Sequence, residues 1–127
     1  MSLTDLEVYQ KLDALFDSVD KWCQEASAKD INGKPVSANS SEAVSFCLIG
    51  AMDHIVEKET GSFNHFADRY YETMKPRIKK VMGIGSVAMW NDNPSRTFTE
   101  IKDFIRDMIN YEREHGQDNG KAALGSD

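Results

Sequence analysis

Cys47, His54, His65 and Asp92 are the residue types from which a thiol-dependent active site is built: a sulfur nucleophile, an imidazole base and a carboxylate to orient it. Spacing argues against the nearer base. On one helix, Cys47 and His54 would lie about 10.5 Å apart along the axis at 1.5 Å per residue, beyond direct proton transfer. The combination left is Cys47 with His65 and Asp92, brought together by tertiary contact. A cysteine in an apolar run also behaves as a small hydrophobe, and the run Phe46-Cys47-Leu48-Ile49-Gly50-Ala51 favours that structural role.

Other groupings can be weighed in the same way. Asp53, His54 and Glu57 place metal-ligand types on successive helical turns, and Glu112 with His115 forms one Glu-x-x-His pair. A carboxylate-bridged two-metal bundle normally supplies two such pairs and further inward glutamates, so no metal is expected. Asp30-Ile31-Asn32-Gly33 resembles part of a calcium loop but lacks the alternating acids and terminal glutamate. Trp90-Asn91-Asp92 offers a pocket wall and two polar side chains; the competing role is an indole in the core beside a turn held by side-chain to backbone bonds. Cys47, Gly50, Ala51, Trp90, Asn91 and Asp92 are thus the candidate pocket or core residues. No phosphate loop, nucleophile elbow, zinc signature or dinucleotide fingerprint occurs, and no cofactor is expected.

The elements that must position these residues are helices. Thr4 and Glu7 form a capping box, and Leu12, Leu15, Phe16, Val19, Trp22, Cys23 and Ala26 continue at spacings of three and four, predicting a helix over 5–26. Turn formers from Asp30 to Val36 predict a tight turn with short extended flanks. Asn39, Ser40 and Ser41 are candidate caps for a helix over 42–58, stopped by Thr60-Gly61. Phe63, Phe66, Tyr70 and Met74 mark a third helix, which Pro76 should end or kink. Gly83 and Gly85 open an irregular stretch, and the capping box Thr97/Glu100 starts a last helix over 98–113.

The expected architecture is all-α: a small bundle of about four main helices with a turn-rich or extended excursion near 28–39. Residues 1–113 form the expected single domain and 114–127 a flexible tail. The predicted core joins Leu12, Phe16, Val19, Val44, Cys47, Leu48, Ala51, Phe66, Trp90, Ile101, Phe104 and Ile105. At 127 residues the chain is long enough for one core without staples.

Fifteen Lys and Arg against 21 Asp and Glu give a formal charge of −6, which repels phosphate backbones and anionic membranes. Direct nucleic-acid or membrane binding is therefore disfavoured. Asp13, Asp17 and Asp20 fall on the polar side of the first predicted helix and form a candidate face for a basic protein partner. Cys23 and Cys47 sit in no CxxC pair, and the start of the chain lacks the basic and apolar parts of a leader. A reduced, cytoplasmic setting is expected.

Taken together, Trp22, Asp30, Gly33-Lys34-Pro35-Val36, Ala43, Cys47-Leu48-Ile49-Gly50-Ala51, Trp90-Asn91-Asp92 and Arg96-Thr97 resemble an uncharacterised family of short bacterial and phage proteins, a domain of unknown function. The resemblance covers most of residues 20–110, with Phe46 where that family usually has Trp. It implies a small, often phage-associated domain. The expected function is a non-enzymatic intracellular interaction protein, such as a phage-borne acidic inhibitor or regulator of a host protein. The alternative is a small cysteine-dependent hydrolase or transferase using Cys47, His65 and Asp92.

Overall fold

The computed structural model describes residues 3–61 and 65–116; the side chain of His65 lies outside the described residues, as does the expected tail beyond 116. The helical framework comprises α1 (Asp5–Leu15), α2 (Leu48–Thr60), α3 (His65–Arg69), α4 (Lys75–Met82), α5 (Val87–Asp92) and α6 (Phe98–Tyr111). The all-α expectation is borne out, with a strand-bearing excursion between α1 and α2.

α1 and α6 begin as their sequences dictate. Thr4 and Thr97 each accept a hydrogen bond from the amide three residues on, while Glu7 and Glu100 each accept one from the cap amide. Each box satisfies donors that a helix start otherwise leaves open. Val8, Tyr9 and Leu12 of α1 then meet Ile101, Phe104, Ile105 and Met108 of α6, all of them buried. α2 packs across α1 with Leu48, Ala51, Met52, Ile55 and Val56 inward. This apolar centre is the main source of stabilisation, at roughly 25 cal/mol per Å² of apolar surface removed from water.

The first helix is shorter than predicted. It stops at Leu15, where the Phe16 amide closes onto Leu12, and Val19–Lys21 form one 3₁₀ turn. The three-and-four spacing continues past the stop because Trp22 and Cys23 also face inward, but they do so from extended backbone. Val19 and Val44, both predicted in the core, are 60% and 41% exposed. Each leaves the core because the helix expected to turn it inward is absent at its position.

Three two-residue strands follow: β1 (Ala28–Lys29), β2 (Pro35–Val36) and β3 (Ser45–Phe46), in the order β2-β1-β3 and antiparallel. Asp30 holds the intervening turn, accepting from the Asn32 and Lys34 amides, and Gly33 supplies its φ of +80°. Because Ser45 and Phe46 pair with β1, the second helix begins at Leu48 and not near 42. Asn39, Ser40 and Ser41 are therefore not its caps; Cys47 is.

Pro76 does not end the third helix. Residues Tyr70–Met74 widen into a π-helical turn in which the Lys75 amide reaches back to Tyr70, and Pro76 sits in the first turn of α4, where its missing N–H leaves no bond unmade. The stretch after Gly83 and Gly85 becomes α5, capped by the Ser86 hydroxyl.

Candidate functional site

α5 is only six residues long, yet it carries Asn91, a side chain with four hydrogen bonds. Asn91 is fully buried. Its Oδ1 accepts from the Trp22 indole Nε1–H at 2.9 Å and from the Leu48 amide at 3.0 Å. Its Nδ2 donates to the Cys23 carbonyl at 3.2 Å and to Asp92 Oδ1 at 2.9 Å. An asparagine side chain has two acceptor sites and two donors, and all four are in use. One residue thereby ties the segment after α1, the first turn of α2 and the end of α5 together.

Neighbouring groups extend the clasp. Gln24 Nε2 donates to the carbonyls of Asn91 and Asn93 at 2.9 and 2.8 Å. Asp92 Oδ1 accepts from the Glu25 amide at 2.9 Å, and Glu25 holds a φ of 68°, left-handed backbone that a non-glycine residue adopts at a cost. Behind them, Arg96 Nε donates to the Trp90 carbonyl at 2.8 Å, with its guanidinium carbon 3.8 Å from the Trp90 ring centroid. Trp90 in turn stands 5.4 Å from Phe104, centroid to centroid, and so joins the clasp to the bundle.

The small residues singled out in α2 have a direct packing reason. A Cβ on Gly50 would fall 1.9 Å from the Ser27 carbonyl oxygen. That oxygen accepts from the Cys47 amide at 3.1 Å, so the start of α2 rests on the backbone of the excursion. Ala51, fully buried, continues the contact into the core.

Cys47 itself is the N-cap of α2: its sulfur accepts from the Gly50 amide at 3.2 Å. Burial pushes its thiol pKa up, against the lowering effect of that amide. His54 faces elsewhere, with Nδ1 3.0 Å from the Ala38 carbonyl and its ring 4.8 Å from Phe46. His65 opens α3 after the far end of α2, a helix of thirteen residues and so about 20 Å long. Asp92 directs Oδ1 at the Glu25 amide and the Asn91 side chain. The geometry thus places Cys47, Asn91 and Asp92 in one neighbourhood, where their described bonds are to backbone groups, to the Trp22 indole and, between Asn91 and Asp92, to each other.

The metal-ligand types are dispersed. Glu57 Oε2 accepts from the Phe66 amide, and burial, with Glu57 one turn away, pushes the Asp53 carboxyl up. Glu112 is buried against Arg77, whose Nη1 lies 2.8 and 2.9 Å from its two oxygens, and Arg77 also reaches Asp5 at 3.3 Å. With Arg69 on Asp5, this network closes the outer end of the α1, α4 and α6 packing. Among the described residues no three His, Cys, Asp or Glu side chains form a group suited to a metal ion.

The acidic positions are separated by the early end of α1. Asp13 lies on the helix and pairs with Lys102 at 2.7 Å. Asp17 and Asp20 lie beyond it, Asp17 3.1 Å from Lys21 and Asp20 bonded to the Ser18 hydroxyl. Both are exposed, on either side of the exposed Val19.

Sequence reasoning missed one feature here. Trp22, Cys23, Gln24, Glu25, Lys29 and Ser45 line an open cleft of about 460 Å³. Nothing in the residue pattern marks it, because it forms only when the segment after α1 leaves the helix and lies along β3. Among the described residues, no helix is long and apolar enough to cross a membrane. No curated protein and no solved structure matches the chain. A family model described as a family of unknown function matches residues 1–111. The chain therefore belongs to DUF6197, a family of unknown function.

Proposed function

We propose that the protein is a non-enzymatic intracellular interaction protein that binds a basic protein surface through the turn following α1, with Asp13, Asp17 and Asp20 as its acidic contacts. The observation that carries this reading is Val19, 60% exposed between Asp17 and Asp20. An apolar side chain held in water beside carboxylates is the chemistry of a small contact site for a cationic partner, the charges steering approach and the valine gaining from burial. The amide of Asn91 supports the non-enzymatic part of this reading, since all of its hydrogen-bonding positions are engaged in holding the fold. The sequence resemblance to phage proteins supports a finer form: a phage-borne inhibitor or regulator that binds a host protein.

The experiment is a pull-down from host lysate across a salt series with the wild type and the triple variant Asp17→Lys, Val19→Ser, Asp20→Lys, whose positions lie outside the core. Specific partners should be lost from the variant, and wild-type capture should weaken as salt rises. Retention of every partner by a folded variant would exclude this turn from recognition. Asp13→Asn serves as a milder arm because Asp13 is partly neutralised by Lys102.

A further inference from the structure

Cys23 and Cys47 are distant in sequence, yet the fold sets them side by side. Trp22 and Phe46 form a parallel bridge, and the Cys23 amide donates to the Phe46 carbonyl at 2.9 Å. The next residues along the two segments are Cys23 and Cys47. Neighbouring strands run about 4.7–4.9 Å apart, inside the roughly 4.4–6.8 Å range of Cα separations that a disulfide spans. Ser45 and Cys47 flank Phe46, the Cys23 thiol donates to the Ala26 carbonyl at 3.7 Å, and the closeness of Cys23 helps hold the Cys47 thiol pKa up. Both cysteines are unbridged and buried.

The two thiols differ in what lies before them. Cys23 lines the open cleft together with Lys29 and Glu25, whereas Cys47 is turned toward the first turn of α2 and does not line it. We propose that the pair is a dithiol that exchanges with a small zwitterionic disulfide entering the cleft, Cys23 reacting first and Cys47 resolving. In the first step the Cys23 thiolate attacks one sulfur of R–S–S–R, forming Cys23–S–S–R and releasing R–S⁻. That thiolate takes up a proton equivalent to the one Cys23 gave to solvent. In the second step the Cys47 thiolate attacks the Cys23 sulfur, forming the Cys23–Cys47 disulfide and releasing the second R–S⁻, protonated likewise.

The net change reduces one small disulfide to two thiols and oxidises the protein dithiol by two electrons. The cleft of about 460 Å³ is open, and Lys29 and Glu25 in its lining supply opposite charges for the carboxylate and ammonium groups of the disulfide. Burial raises both thiol pKa values, so the exchange is expected to be slower than that of an exposed thiol. The inference is independent of the partner-binding turn.

The test treats the reduced full-length protein with oxidised glutathione under native conditions. The intact mass should lose the two thiol hydrogens, and non-reducing digestion should give one peptide pair linking Cys23 to Cys47. In Cys47→Ser, where serine preserves a cap for α2, glutathione should remain attached to Cys23. In Cys23→Ser, Cys47 should stay reduced while the protein is folded. Stable adducts without a link in the wild type, an adduct on Cys47 in folded Cys23→Ser, or reaction only in denaturant would each overturn the proposal. Circular dichroism of both variants separates these outcomes from unfolding.

Discussion

Where α1 meets α6, the molecule buries apolar side chains against one another; where residues 22–25 meet residues 90–96, it buries hydrogen bonds. The first contact tolerates imprecision, because the hydrophobic effect has no direction and scales with area. The second does not. Asn91 satisfies two donors and two acceptors at once, and removal of its side chain leaves all four partners without the bonds it supplies. The bundle therefore sets how stable the domain is, and the clasp sets where the excursion lies, including the cleft around Cys23.

This contrast is broken most severely in the bundle. Phe104→Ala removes a fully buried ring that packs on Trp90, and should cost about 3–5 kcal/mol in urea unfolding. A loss under half of that would mean the α6 face repacks and is not the centre of stability. Gly50→Ala should follow at about 3 kcal/mol, the upper end for overpacking, since the added carbon meets backbone and not a side chain that can swing away. An unchanged midpoint would show that the approach of α2 to Ser27 is looser than described.

Asn91→Ala comes next, at about 2 kcal/mol, as each buried group left unpaired costs about 1–3 kcal/mol and water enters to recover part of it. Its diagnostic is selectivity: alkylation of Cys23 and Cys47 should accelerate in the folded variant, whereas Phe104→Ala should accelerate it only through global unfolding. Equal thiol protection in both would erase the distinction between the two regions.

The smallest effect is electrostatic. The Asp53 carboxyl is pushed up by burial, with Glu57 adding to it, so the folded state binds that proton more tightly than the unfolded chain. Stability should therefore rise as pH falls through the raised folded pKa toward the ordinary aspartate value, and the gain should be absent in Asp53→Asn. Asp53 is only half-buried, so solvent screens its charge and keeps the effect below the other three. Identical pH profiles for variant and wild type in that window would remove Asp53 as its source.

The bundle was legible in the sequence because its signals are local. Thr4/Glu7 and Thr97/Glu100 announce their helices within four residues, and the stripe from Ile101 to Ile109 reads directly as the buried face of α6. The clasp was legible only as a list of suspects. Asn91, Asp92, Cys47 and Gly50 stood out by type, but their shared role needs Trp22 and Leu48 to arrive from far along the chain. The end of α1 was hidden because no Gly or Pro follows Leu15, and the inward faces of Trp22 and Cys23 mimic a continuing helix. The start of α2 was hidden for a related reason. Serines at 40 and 41 look like better caps than a cysteine, and only the pairing of β3 with β1 shifts the helix past them.

The central claim is that Asn91 ties the excursion to the bundle through the Trp22 indole and the Leu48 amide, and hydrogen exchange at those two N–H groups tests it most directly. Both should exchange as slowly as the amides in the middle of α6 in the wild type. In Asn91→Ala both should accelerate together by about tenfold or more while the α6 amides stay slow, as expected for opening of one local unit. Fast exchange of the Trp22 indole in the wild type, or acceleration of one group without the other in the variant, would contradict the clasp.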